Sequence, residues 1–348
     1  MLKSPFAAHP LASDRFYNPF DSCRRILILA SFTAGEVCRT HALSAGGFMG
    51  RTEQARTTDV DFYAQPSAMT SSGSHGPLLS ELPNEVSDLA RIIQHLVVYD
   101  VVAPEFYGFT IPESRQSEIH IRSLDKILDG ILALDHRPLS VPRPVDKRLV
   151  GRCHHFMQLM IGILRSKGIP ARARCGFGSY FNPPQFEDHW VCEYWNPTKS
   201  RWTFVDTQFD QVWRKKLKID HDILDVPRDR FLVAGDAWTQ CRNGEADPST
   251  FGIEFVNLRG LWYIAGSLVR EVAALNKVEM LPWDVWGAQP RPNETLDDDQ
   301  LAFFDRLGAL TREPDNSSHE LRKRFDTDER VRIASVVFNS LLNRPEPI

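Results

Sequence analysis

An α+β fold is the reading that three features of the sequence support. A stripe of apolar residues at helical spacing runs through GRCHHFMQLMIGIL from residue 151. A stretch rich in aromatic and β-branched residues follows over 171–206 in strand, turn, strand order, and helical periodicity returns beyond it. Together these predict a central helix packed on an antiparallel sheet, with additional C-terminal helices.

The 348 residues are 42% hydrophobic and 25% charged, the composition of a globular protein with room for a large core. A formal charge of −4 gives no global attraction to nucleic acid or to an anionic membrane, and neither is expected as a partner. Six cysteines scattered over a chain this long do not form a disulfide framework, so they are read as reduced thiols and the protein as cytoplasmic. The apolar run ILILASFTA at 26–34 follows Arg24 and Arg25 but falls far short of the roughly 20 residues of a membrane span. Asp14 and Asp21 ahead of it are unusual for a signal peptide.

Residues 1–78 lack periodicity and end in the Ser/Gly stretch TSSGSHG, which predicts a disordered N-terminal arm. A catalytic domain is expected over 79–290 and a helical extension over 291–348. Val86, Leu89, Ile93 and Leu96 after Pro83 predict a helix over 83–98, and Leu124, Ile127, Leu128, Ile131 and Leu132 a second one with Ser123 as cap. A Pro-rich passage at 137–146 leads to the Cys153 helix, which Gly168 and Ile169-Pro170 end. Downstream, Leu261 to Leu275 form an apolar stripe, and the acidic run 297–299 suits a helix first turn. Val331, Val336, Val337 and Leu341 suggest one more helix behind an Asp326-to-Glu329 cap.

The run Cys153-His154-His155 first suggests a metal site. On a helical wheel Cys153 lies with Phe156, Met157 and Met160, His154 with Gln158 and Arg165, and His155 on another side. One zinc ion needs ligands converging at about 2.0–2.3 Å, which adjacent residues on a helix do not supply. Cys175, His189 and Cys192 fail similarly, because positions 189 and 192 point to opposite faces of one strand. No metal and no cofactor is expected. What the helix does offer is a cysteine in its first turn, where unpaired N–H groups and the dipole favour a nucleophilic sulfur. The plain alternative is a small core thiol.

A base could come from the hairpin HWVCEYW, NPTKS, RWTFVD at 189–206. If N-P-T-K forms a four-residue loop, Trp195 pairs with Ser200 and His189 lies directly opposite Asp206. A five-residue loop would instead turn Asp206 to the other face. Asp188 and Asp210 are rivals for the place beside the imidazole, and Arg172 and Arg174 are read as solvated.

The stretches GRCHHFMQLMIGILRSKGIPARARCGF, DHWVCEYW and RWTFVDTQFD together resemble the transglutaminase-like superfamily. The resemblance covers about 148–210 and implies a papain-related α+β fold. It implies Cys153 as nucleophile, His189 as general base and acid, and Asp206 as the orienting carboxylate. His154-His155 replace the Arg-Asp common after the family's cysteine, and Trp190 follows the histidine directly. The expected activity is cysteine-dependent acyl transfer on a protein, peptide or small amide substrate, with a thioester on Cys153. Hydrolysis by a peptidase or amidase is favoured over an amine acyltransferase of transglutaminase type, and a binding module that only keeps the fold is the third reading. Trp190 and Glu193 are the candidate substrate-binding residues.

Overall fold

The local signals fold as short elements gathered around one long helix, in a computed structural model that describes residues 60–348. The apolar run at 26–34 and the first 59 residues of the expected arm lie outside the described residues. Residues 60–78 do not extend away from the domain. Tyr63 and Thr70 are buried, the Tyr63 hydroxyl donates to the Leu275 carbonyl at 2.8 Å, and the Met69 carbonyl accepts from Leu124 N at 2.9 Å.

In chain order the elements used below are α1 (Val86–Gln94), β1 (Val97–Tyr99), α2 (Leu124–Leu134), β2 (Leu149–Gly151) and α3 (Cys153–Ser166). Next come β3 (Ala171–Gly178), β4 (Phe186–Asn196), β5 (Arg201–Val205), α4 (Gln211–Leu217), β6 (Phe231–Val233) and α5 (Ala234–Arg242). The chain continues through β7 (Phe251–Ile253), β8 (Leu258–Arg259), α6 (Leu261–Leu275) and β9 (Asp284–Val285). It closes with α7 (Asp298–Arg312), α8 (Pro314–Thr327), β10 (Val336–Asn339) and β11 (Arg344–Pro347). None of the described helices is long and apolar enough to cross a membrane.

The helix α3 is the axis of this arrangement, buried from Cys153 to Arg165. It ends in a Schellman motif: Gly168 takes φ +71°, Gly168 N–H returns to the Arg165 carbonyl, and Ile169 N–H to that of Leu164. One side of α3 packs against Ala171, Ala173, Cys175, Trp190, Cys192 and Val205 of the sheet, and other sides meet α1 and α2. The polar face with His154, Gln158 and Arg165 is covered too. His154 Nε2 bonds the Glu279 carbonyl at 3.1 Å, and Gln158 donates to that of Met69 at 2.7 Å. Arg165 donates to Ala171 O and to the Glu279 carboxylate, each at 2.8 Å.

In the main sheet β4 is the shared strand. It pairs antiparallel with β3 along its length and with β5 at its C-terminal half, and parallel with β7 at its start. Only residues 176–178 of β3 pair with β6. Beyond that point α6 takes over the edge, where Glu271 accepts the Cys175 N–H at 2.5 Å. Covering an open strand edge in this way removes a pairing surface.

Four sequence expectations change. The helix expected over 83–98 stops at Gln94, because Val97–Tyr99 find a parallel partner in Leu149–Gly151, over fifty residues away. Ser123 stands at the N-cap of α2, yet its hydroxyl bonds the Asp125 carboxylate instead of the helix backbone. Arg172 and Arg174 are buried rather than solvated. Arg172 and Arg174 both bond Glu193, at 2.6 and 2.7 Å, and Arg174 also bonds Glu271 at 2.6 Å. Finally, the helix expected over 331–341 is a strand from Val336 to Asn339 with alternating exposure, Val337 and Asn339 inside and Val336 and Phe338 outside. That period of two, followed by left-handed Asn343 and Arg344-Pro345, builds a hairpin with β11. The C-terminal helices α7 and α8 share a core with α5 and α6.

At Gly176, level with His189 across the β3–β4 ladder, an added Cβ would fall 2.1 Å from the Leu232 carbonyl oxygen. Gly176→Ala is therefore expected to force β6 away and to cost about 1–3 kcal/mol, read from urea unfolding midpoints.

Candidate active site

The site begins at the junction of β2 and α3. Cys153 is the first residue of the helix, and Arg152 before it is extended, at φ −131°. The Arg152 guanidinium is gripped by Asp100, with Nε 3.0 Å from Oδ1 and Nη2 2.8 Å from Oδ2. It also lies 5.1 Å from the Trp283 ring centroid. His155, at the third helical position, reaches back so that its Nδ1 accepts the Arg152 backbone N–H at 3.1 Å. A histidine here does the work that Glu or Gln performs in the usual capping box.

Neither histidine beside Cys153 is arranged as a ligand. Burial lowers the His154 pKa to about 3 and that of His155 to about 4, with Arg152 acting further on His155, so both rings are neutral. Their hydrogen bonds run to separate parts of the chain. Among the described residues no group of His, Cys, Asp and Glu is placed to hold a metal ion.

The hairpin supplies the other half of the site, in a register that differs from the expected one. Trp195 pairs with Trp202 and Cys192 with Val205, so the turn is Pro197–Ser200, with Ser200 left-handed at φ +49°. The pairing is displaced by two residues from Trp195 opposite Ser200. Because strand faces alternate with period two, this displacement keeps Asp206 on the His189 face. One step beyond Cys192–Val205, Asp206 comes level with Val191, diagonal to His189. Diagonal neighbours lie within reach of long side chains. His189 Nε2 donates to Asp206 Oδ2 at 2.6 Å.

Both members of the pair are buried, at 1% and 2% exposure. Cys153, the first residue of α3, is 5% exposed, and its thiol acts on the imidazole. With Nε2 engaged by Asp206, Nδ1 is the ring nitrogen left for another partner. Burial lowers the His189 pKa, but the Asp206 carboxylate outweighs it, and with Cys153 it raises the value to about 10. The ring rests among Phe181, Phe209 and Tyr180, with centroids at 4.9, 6.0 and 6.1 Å.

The rival carboxylates are occupied elsewhere. Asp210 caps α4, accepting from Val212 N and Trp213 N at 2.9 and 3.1 Å, and takes the Tyr107 hydroxyl. Asp188 is 4.0 Å from Arg270, and burial raises its pKa. Trp190 and Glu193 are likewise committed. Trp190 is 1% exposed, packed under α3 with its ring 5.5 Å from that of His154. Glu193 is fully enclosed by Arg172, Arg174 and Arg228, the last at 2.6 Å. Its carboxylate lines a polar cavity of about 210 Å³ with Trp202 and the 312–316 segment. Sequence reasoning missed Tyr180, whose hydroxyl donates to Asp206 Oδ2 at 2.9 Å. The loop SYFNPPQFED carries no signal for that contact.

Residues 134–207 match the family model of the transglutaminase-like superfamily. The matched segment is the one that holds Cys153, His189 and Asp206, and the described elements around it form an α+β fold. A solved protein of Cytophaga hutchinsonii, provisionally named a cysteine protease, is 21% identical over 43% of this chain and 42% of its own, with a TM-score of 0.28. No curated protein matches the chain.

Two outcomes follow. The His189 pair stabilises the fold fully below the unfolded-state value near pH 6.5 and loses its effect as pH rises toward about 10. Urea unfolding of wild type against His189→Gln should therefore show a gap of a few kcal/mol at pH 6 that narrows steadily up to pH 10. Glu193→Ala, which removes the buried carboxylate shared by Arg172, Arg174 and Arg228, is expected to cost about 3–5 kcal/mol. A weakened substrate affinity with unaltered stability would return Glu193 to a binding role.

Proposed function

We propose that the protein is a cysteine-dependent acyl-transfer enzyme, with Cys153 as nucleophile, His189 as general base and acid, and Asp206 as the orienting carboxylate. The observation that carries this reading is the buried imidazole that Asp206 holds on Nε2 at 2.6 Å and on which the Cys153 thiol also acts. An imidazole so held has one tautomer and one direction for its proton traffic.

His189, protonated at neutral pH, holds the thiol's proton on Nδ1, and the sulfur attacks an amide carbonyl, forming the S–C bond and a tetrahedral oxyanion. The Cys153 backbone N–H at the helix start is a donor to that oxygen. Collapse breaks the C–N bond, and His189 returns the proton to the leaving amine. The thioester is then resolved by water, whose proton again goes to His189 while Cys153 leaves as product acid forms. This hydrolytic reading makes the protein a peptidase or amidase acting on a protein, peptide or small amide, without a cofactor and in the cytoplasm. One observation favours a second reading. Cys153 is 5% exposed, and an enclosed sulfur suits resolution by an amine over water, as in a transglutaminase.

Iodoacetamide at pH 7 is expected to label Cys153 well ahead of Cys175, Cys192 and Cys241. Burial pushes the Cys241 thiol up to about 12 and raises the other two as well. Cys153→Ala should remove the fast labelling and all amide cleavage. Equal labelling of these thiols would sink the nucleophile assignment and leave a binding module. A panel of amide substrates with and without a primary amine separates the two enzymatic readings, because only a transferase yields an amine adduct.

A further inference from the structure

The structure assigns Tyr180 as a positioning residue for the site: its hydroxyl fixes the Asp206 carboxylate, and through it the direction in which His189 faces Cys153. This inference rests on the acyl-transfer reading above.

Asp206 Oδ2 accepts two donors, His189 Nε2 at 2.6 Å and the Tyr180 hydroxyl at 2.9 Å. Its Oδ1 accepts the Gln208 backbone N–H at 3.2 Å. A carboxylate held only by the imidazole could rotate about its Cα–Cβ and Cβ–Cγ bonds. Donors on both oxygens stop that rotation, and among the described residues the Tyr180 hydroxyl is the side-chain donor besides the imidazole. Tyr180 itself is 5% exposed. Burial first, then the Asp206 charge, raise its pKa well above the usual phenol value, so it stays protonated and stays a donor.

The ring is as well fixed as the hydroxyl. Its centroid lies 5.4 Å from that of Phe209 and 4.9 Å from that of His221. The next residue, Phe181, sets its ring 4.9 Å from the imidazole of His189. Two consecutive residues of the β3–β4 loop thus hold both halves of the pair, Tyr180 by a hydrogen bond to the carboxylate and Phe181 by a ring contact to the imidazole. Packing alone would be met by phenylalanine at 180. The hydroxyl has a role only if the orientation of Asp206 matters.

Tyr180→Phe removes that hydroxyl and keeps the ring. With one donor gone, Asp206 becomes the stronger acceptor for the imidazolium proton. The His189 midpoint, followed by imidazole ¹⁵N NMR in the full-length protein, should move upward by about half a pH unit or more. The pH profile of Cys153 alkylation by iodoacetamide should move with it. 3-Fluorotyrosine at position 180 keeps ring and hydroxyl but strengthens the donor, and should move both readouts the opposite way. It also provides the test if the phenylalanine variant does not fold. Unmoved midpoints and alkylation profiles in the variants that fold overturn the proposal and leave Tyr180 as packing. A wild type in which Cys153 is not selectively alkylated overturns the acyl-transfer reading instead, so the two failures are distinct.

Discussion

Burial of α3 from Cys153 to Arg165 is the constraint on which the rest of the structure depends. A helix that carries His154, His155, Gln158 and Arg165 into the interior needs a partner for each, since an unmade buried hydrogen bond costs about 1–3 kcal/mol. His155 and part of Arg165 find theirs locally, in the Arg152 N–H and the Ala171 carbonyl, and the others come from distant chain: Met69 and Thr70 before the core and Glu279 beyond α6. The segments that wrap the helix are therefore drawn in by its polar groups as much as by its apolar ones. Cys153 stands at the N-terminal end of this helix, where the dipole is positive.

A second layer of buried charge stands behind the sheet. Glu193 and Glu271 are threaded by Arg172 and Arg174, so the strand that carries His189 is tied to α6 and its neighbour strand by charge-assisted bonds. Replacing such a cluster with apolar residues can be neutral, whereas breaking it is costly. Its value here is positional: β4 is the strand that sets the height and face of the imidazole. The His189–Asp206 pair adds its own demand for exact placement, because at 2.6 Å in a buried setting it tolerates little drift.

Much of this was legible in the sequence, and what was legible shares a physical origin. Helical periodicity marked α3, the Gly168 cap marked its end, and alternation with aromatic residues marked β4 and β5. Asp206 was placed on the His189 face through a register that was two residues off, and survived the error because side-chain faces repeat with period two. The strand at Val336–Asn339 was mistaken for a helix because Val331, Val336, Val337 and Leu341 fit a helical spacing loosely. Arg172 and Arg174 look solvated in the sequence because their counter-charges, Glu193 on the neighbouring strand and the distant Glu271 and Asp315, meet them only through the sheet and the packing of α6 and α8.

By itself the sequence determined the elements and their local punctuation, the α+β class, and the chemistry available at Cys153, His189 and Asp206. These follow from short-range periodicity and capping, which are properties of neighbouring residues. The tertiary structure alone decided which charges would be buried together, that Trp190 packs beneath α3, that His155 caps its own helix turn, and that Tyr180 reaches Asp206. Each of these depends on contacts or side-chain directions that only packing fixes, and the Tyr180 contact spans a loop whose composition is silent about its path.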